Sequence, residues 1–241
     1  MARIFVGNSS RISGEVVQTI SGLSDAFTAL LEVDVDGRNI DAWLMGTAGA
    51  GPTIQIVAEF KNTLKPFRGT ENGEWTVLGE TGLWEPLPGR TKDANPYRQA
   101  VAAANTAQNW LFNNRKVYSN NLDDTTAQHF RVWPDLVVTS PAPLRHELPG
   151  APANRYGRWF LTLQDWVDHV AQWQPRPDAA SLSQGQILTI ADLLNLRPLA
   201  PLQAPAAACG EPAPAELHRW LSTLDVRLRG LDDRLARLER R

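Results

Sequence analysis

Three apolar runs set close together constrain the fold more than any other part of this chain. They read "FTALLEVDVDG" from Phe27, "NIDAWLMG" from Asn39 and "TIQIVAEFKN" from Thr53. The Asp36-Gly37 dipeptide between the first two signals a tight hairpin, and "TAGAGP" before Thr53 a second turn. The three runs therefore predict an antiparallel meander. Residues two apart on a strand point to the same face. Glu59 and Lys61 should lie side by side, with Ile54, Ile56, Ala58 and Phe60 on the other face. On the middle run, Asp41, Trp43 and Met45 should share one face, and Ile40, Ala42 and Leu44 the other. Taken alone, Glu59 and Lys61 read as a strand end reaching solvent with a weak ion pair.

Helices frame the meander. In "SGEVVQTISGL", Ser13 can cap a helix whose apolar stripe is Val16, Val17, Ile20 and Leu23, with Glu15 in the first turn and off that stripe. "NPYRQAVAAANTAQNWLFNN" has Asn95 as cap, Pro96 at the first helical position and alanines through its body. Residues 64–94, rich in Gly, Pro and Thr, predict loops and a short hairpin. "FRVWPDLVVTS" predicts another strand, with Pro134 arguing for a bulge or an edge. "LTLQDWVDHVAQW" and "SLSQGQILTIADLLNL" predict two later helices, the second capped by Ser183.

Near Pro198 the composition shifts. Residues 1–197 read as the folded domain, and 198–213 as a Pro/Ala linker, semi-rigid and extended. Residues 214–241 carry leucines at 217, 221, 224, 228, 231, 235 and 238, alternating steps of four and three. That spacing is the narrow seam of a coiled coil. Gly230 weakens such a helix by about 1 kcal/mol, and a short helix is marginal alone in water. It should oligomerise or dock on a partner protein.

Composition removes several function classes. Net charge is −2, so nucleic-acid binding would have to rest on a local groove or on metal ions. Cys209 is the only cysteine, which rules out a disulfide framework or a thiolate zinc site. The first residues turn polar quickly and no run is long enough to span a bilayer, so the expected location is cytoplasmic.

In the antiparallel pair, Asp41 can come opposite the region of Glu59 and Lys61. Two carboxylates and a lysine on adjacent strands suit a hard divalent cation and an attacking water. The lysine adds positive charge beside a developing pentavalent phosphorus.

These residues match a family pattern. "SGEVVQTISGL", "NIDAWLM", "IQIVAEFKN" and "NPYRQA", in that order, resemble the nuclease-related domain, a branch of the PD-(D/E)xK restriction-endonuclease-like superfamily. The resemblance covers roughly residues 10–140, and more weakly to about 197. Its Gly-Glu pair is matched by Gly14-Glu15, and its Ile-Asp by Ile40-Asp41. Its Glu-x-Lys is matched by Glu59, Phe60 and Lys61 with Asn62 trailing, and its Asn-Pro-x-x-Gln helix start by Asn95, Pro96 and Gln99. It implies an α/β restriction-endonuclease-like core and an Mg²⁺- or Mn²⁺-dependent nuclease, with DNA the leading substrate. Asp41 and Glu59 would bind the metal, with the Phe60 carbonyl as a third ligand. Lys61 would orient or activate water, Glu15 would assist through a second metal or a bound water, and Gln99 would position the site. Asn95 reads as a helix cap. The polar loop after Lys61 is longer than the family's, and residues 131–139 fit its later strand loosely. Lys65, Arg68, Arg90, Lys92, Arg115 and Lys116 are candidate phosphate contacts. The competing reading is a non-catalytic nucleic-acid- or protein-binding module, recruited through its C-terminal helix.

Other signals carry no chemistry of their own. Pro134-Asp135 follows the Glu-x-Lys where the superfamily's eponymous dipeptide would precede it, and reads as a strand-edge acid. "GTAGAGPT" has Pro52 where a phosphate loop needs lysine. "HELPG" lacks a second histidine, and no His spacing suits a metal.

Overall fold

The computed structural model describes residues 1–7, 12–47, 52–62, 65–87, 95–119, 126, 129–139, 148, 158–173 and 179–199. They build a mixed α/β architecture. The strands are β1 (Arg3–Val6), β2 (Phe27–Val35), β3 (Arg38–Thr47), β4 (Thr53–Lys61), β5 (Phe67–Arg68), β6 (Thr76–Leu78), β7 (Trp84–Pro86), β8 (Trp133–Val138), β9 (Arg158–Phe160) and β10 (Arg197–Pro198). The helices are α1 (Gly14–Ser21), α2 (Pro96–Tyr118), α3 (Leu163–Gln172) and α4 (Gln184–Leu193).

Seven strands form one sheet in the order β10-β1-β2-β3-β4-β8-β9. The meander β2-β3-β4 is antiparallel, as its turn chemistry requires. Asp36 and Gly37 both have positive φ, 50° and 78°, which is what a two-residue hairpin turn demands. The Gly37 N–H also donates to Asp34 Oδ1 at 2.8 Å. Around this meander the sheet turns mixed. β1 runs parallel to β2 through α1, and β8 runs parallel to both β4 and β9. A second sheet, β5-β6-β7, is antiparallel and has three strands, one more than the expected hairpin.

The periodicity of each helix decides which face of the large sheet it covers. Ser13 caps α1 through the Val16 N–H, and Val16, Val17 and Ile20 are buried against Ala29, Leu31, Ala42 and Leu44. Each such side chain contributes about 1.5–3 kcal/mol of apolar burial, so Ile20→Ala would loosen this layer. α3 packs on the same side through Leu163, Trp166, Val167 and Val170. On the other side, α2 lays Ala103, Ala104, Ala107, Trp110 and Leu111 on Trp43, Met45 and Val57. α4 joins this layer with Ile187, Ile190 and Ala191, its start fixed by a capping box between Ser183 and Gln186. A third cluster, Phe67, Trp75, Tyr97, Leu136 and Val138, joins the small sheet to the start of α2 and to β8.

Two expectations are corrected. Pro134 lies on neither a bulge nor an edge, because β8 runs between β4 and β9. Thr139 N–H donates to Lys61 O on the β4 side, so the alternating backbone turns position 134 toward β9. The β8–β9 ladder begins one residue later, at Asp135↔Arg158, so the missing N–H of Pro134 leaves no rung unmade. The boundary expected after Arg197 also shifts. Pro198 pairs with Phe5, the Leu199 N–H donates to Ile4 O, and the first compact unit spans Met1–Pro201. The remainder of the expected linker and the heptad helix at 214–241 lie outside the described residues. Among the described residues no helix is long and apolar enough to cross a membrane.

Candidate active site

The site forms where β3 and β4 stop pairing. Their ladder runs from Thr47↔Thr53 to Ala42↔Ala58 and ends there. The same register continued by one residue would set Asp41 opposite Glu59. Instead the strands part, and the Phe60 N–H, which has lost its partner strand, donates to Asp41 Oδ2 at 2.7 Å. A side chain thus replaces the missing rung, as a half-buried N–H needs an acceptor.

On its other edge Asp41 faces Glu32. β2 and β3 pair at Leu31↔Ala42 and Val33↔Ile40, with Glu32 and Asp41 between. Glu32 has φ of 51°, in the left-handed region that non-glycine residues enter at a cost of about 1–3 kcal/mol. A single residue in that conformation breaks the two-residue alternation. Ile40 accordingly joins the layer of Trp43 and Met45, where strict alternation would have put it with Ala42 and Leu44. The expected face assignment of Ile40 is corrected by this inversion at Glu32 and Asp41.

Glu59 and Lys61 share the α2 face of β4, as two-residue spacing requires. Lys61 Nζ donates to Glu59 Oε1 at 2.7 Å and to Gln99 Oε1 at 3.0 Å. Their side chains are 14% and 30% exposed, for Glu59 and Lys61 respectively, so the pair is partly withdrawn from water yet reachable. Gln99 can meet Lys61 because Asn95 starts α2 one turn earlier. The Asn95 side chain accepts from the N–H groups of Tyr97 and Arg98. Its Nδ2 donates in turn to the carbonyls of Thr70, Glu71 and Gly73. Asn95 is therefore a cap, as expected, and also ties α2 to the segment leading into β6.

Burial, and then the negative charge of Glu59, push the Asp41 carboxyl from its usual 3.8 up to about 7. The Phe60 N–H pulls the other way, Glu32 adds to the rise, and the Lys61 charge lowers it again. A carboxyl raised by burial and by a neighbouring carboxylate makes a favourable setting for a cation. Among the described residues, Asp41 Oδ1 and Glu59 Oε2 are the oxygens left over from these bonds. The donor set thus fits a hard divalent ion that keeps most of its waters. No cluster of three or more His, Cys, Asp or Glu side chains stands ready as an all-protein cage among the described residues.

Other expected residues lie elsewhere. Glu15 is exposed in the first turn of α1, and among the described residues no hydrogen bond or ion pair of its side chain joins it to Asp41, Glu59 or Lys61. Arg68 stacks over Trp84 at 4.5 Å by the small sheet, whereas Lys65 meets Glu80 at 3.6 Å and shares a cavity lining with Lys61. Arg115 and Lys116 sit in the last turn of α2, roughly 24 Å along the helix from Gln99 at 1.5 Å per residue. Arg90 and Lys92 lie outside the described residues, as do His146, Cys209 and His218.

Asp135, set aside as a strand-edge acid, is fully buried on an interior strand. Trp166 Nε1 donates to its Oδ2 at 3.0 Å, while Oδ1 has no partner among the described residues. Burial drives its pKa up to about 7, against the opposing effects of the Trp166 hydrogen bond and the Arg158 charge. It lies on the α3 face, across the sheet from Glu59 and Lys61. It still reaches the site indirectly, because Trp166 packs edge-on against the Phe60 ring with centroids 5.7 Å apart. Its sequence signal was the burial of the whole "WPDLVV" run, which leaves the acid no route to water.

Among the described residues, two cavities near these elements are of similar size. One, about 480 Å³, lies between α1 and α3 and is lined by residues such as Gln18, Phe27 and Gln164, away from Glu59 and Lys61. The other, about 520 Å³, has Lys61 itself in its wall. No family model, no curated protein and no solved structure matches the chain.

Proposed function

We propose that this chain is a metal-dependent nuclease built on a restriction-endonuclease-like core, hydrolysing phosphodiester bonds, with DNA its leading substrate. One observation carries the reading. Asp41 and Glu59 converge where the β3–β4 ladder opens, with Lys61 beside Glu59 and held by Gln99.

Asp41 and Glu59 would hold Mg²⁺ or Mn²⁺. The Phe60 carbonyl would assist, since the strand's alternation directs it to the same side as the Phe60 N–H that meets Asp41. When bound, such an ion neutralises phosphate charge and lowers the pKa of a water it holds. Lys61 supplies a compact positive charge that can follow the negative charge growing on the phosphoryl oxygens. Gln99 fixes the ammonium in place, so little reorganisation is needed as the reaction proceeds. Glu15, as an exposed acid on α1, stands as a candidate for a second metal or water only if substrate or ion draws it inward.

The second reading is a non-catalytic binding module. It draws on the Lys61–Glu59 contact at 2.7 Å, in which the lysine already neutralises one of the two carboxylates. Single- and double-stranded DNA and RNA, each incubated with and without Mg²⁺ or Mn²⁺, decide between the two. Cleavage that needs the metal and vanishes in Asp41→Ala and Glu59→Ala supports the nuclease. Metal-independent binding with no cleavage of any substrate removes it.

A further inference from the structure

The cavity beside Lys61 is built from unlike parts. Phe67 and Trp75, almost wholly buried with rings tilted and 5.5 Å apart, touch its lining but give it little surface. Val77, Pro86 and Leu87 supply apolar surface, and Lys61 and Lys65, paired with Glu59 and Glu80, also line it. Its volume of about 520 Å³ lies within the roughly 300–1,000 Å³ usual for small-molecule sites. An apolar lining beside an ammonium matches one chemical shape well: a nucleotide, with a flat base and an anionic phosphate. The shared residue matters most. Lys61 is both the site's ammonium and part of this lining, so a phosphate held at Lys61 would bring a neighbouring base to the cavity.

We propose that this cavity takes one unpaired base of the substrate strand, next to the phosphate at Lys61, and so selects single-stranded or locally unpaired nucleic acid. The proposal rests on the nuclease reading for its register, and it adds the substrate class. A base inside a duplex is stacked and paired, and reaches such a pocket only by leaving the helix at a cost of a few kcal/mol. An unpaired base has no such cost, and apolar contact with Val77, Pro86 and Leu87 is tolerant of sequence. Glu85, also in the lining, offers an acceptor to a base amino group.

The test measures fluorescence anisotropy of three labelled ligands of about 16 nucleotides: a DNA single strand, its fully paired duplex, and an abasic deoxyribose-phosphate strand. Each is titrated with the full chain in calcium, and with Val77→Trp and Leu87→Trp, which fill the cavity. The single strand is expected to bind about tenfold or more tightly than either alternative. Each filling substitution should remove that advantage and leave the abasic strand's affinity unchanged. Equal affinity of the unaltered chain for the single strand and the abasic strand overturns the proposal, whatever the variants do. Tighter binding of the duplex overturns it as well. Parallel cleavage assays in Mg²⁺ keep the two readings apart. Base-dependent binding without cleavage retains the cavity and removes hydrolysis, whereas cleavage with base-independent binding does the reverse.

Discussion

The Phe60 backbone N–H and the Asp41 carboxylate meet at 2.7 Å where their strands cease to pair, so one side chain serves both the sheet and the site. Asp41 is held there at an electrostatic cost. Its carboxyl, lifted to about 7 by burial and by Glu59, keeps in the folded chain a proton that the unfolded chain releases from about pH 4 upward. The sign follows: folding is not penalised below about pH 4, loses stability as the pH climbs toward 7, and above it carries the full penalty, on the order of a few kcal/mol. Asp41→Asn keeps an acceptor for Phe60 and removes the titration. In EDTA its melting temperature relative to the unaltered chain should rise between about pH 5 and pH 8. Asp135 titrates in both proteins and cancels in the comparison. Mn²⁺ should close the gap at the higher pH by binding the charged form. A difference that does not move with pH would sink the account of Asp41.

Lys61→Ala should leave metal-dependent stabilisation nearly intact and lower turnover by about 10²–10³-fold, as its charge is needed mainly in the transition state. Lys61→Arg should not restore it, since a planar fork cannot stand in for a compact ammonium between Glu59 and Gln99. Gln99→Ala, which frees the ammonium without removing it, should cost on the order of tenfold. Single-turnover cleavage rates separate these cases. Near-normal rates for Lys61→Ala would remove the lysine from the mechanism.

Asn95 distinguishes a cap from an anchor. A cap lost to alanine costs about 0.5–2 kcal/mol, but Asn95 also donates to three carbonyls. Asn95→Asp retains the cap and replaces those donors with a charge facing carbonyl oxygens. It should therefore be at least as destabilising as Asn95→Ala in urea unfolding, reversing the order seen at ordinary helix starts.

Trp166→Phe takes the one described hydrogen bond from the Asp135 carboxyl and slackens the ring against Phe60. The loss should be about 1–3 kcal/mol larger at pH 8 than at pH 5, because only the charged carboxylate feels it fully. Adding Asp135→Asn should recover the pH-dependent part. Chemical denaturation of the single and double variants at both pH values measures it.

The leucine seam from 217 to 238 is expected to join copies of the chain. Light scattering of the full chain against one ending at Pro201 tests this. The cut belongs after Pro201, because ending at Arg197 would remove half of β10 and the Leu199 bond to β1. Equal masses per chain would eliminate self-association through the tail.

The meander, the helices and the Glu59–Lys61–Gln99 grouping were legible because each follows a local rule: a turn dipeptide, a cap, a period of two or of 3.6. β1, β9 and β10 were not anticipated. They are four, three and two residues long, too short to show a period, and are strands only because the sheet offers them an edge. Asp135 was misjudged for a related reason. The sequence marks Pro134 as unfit for a ladder, yet the ladder on that side starts just past it, which depends on where β9 lies and on nothing near residue 134. The inversion at Glu32 and Asp41 was equally hidden, since no glycine announces it.

The rung that Asp41 supplies separates two histories a chain of this kind can have. On the nuclease reading, Glu59 and Lys61 answer to chemistry, to each other and to Gln99 alone, so drift that abandons hydrolysis is free to erase them. Position 41 answers also to the sheet, and a descendant without activity would still need an acceptor there. An aspartate at that position is thus poor testimony of a working enzyme, and the fate of Glu59 and Lys61 is the better witness.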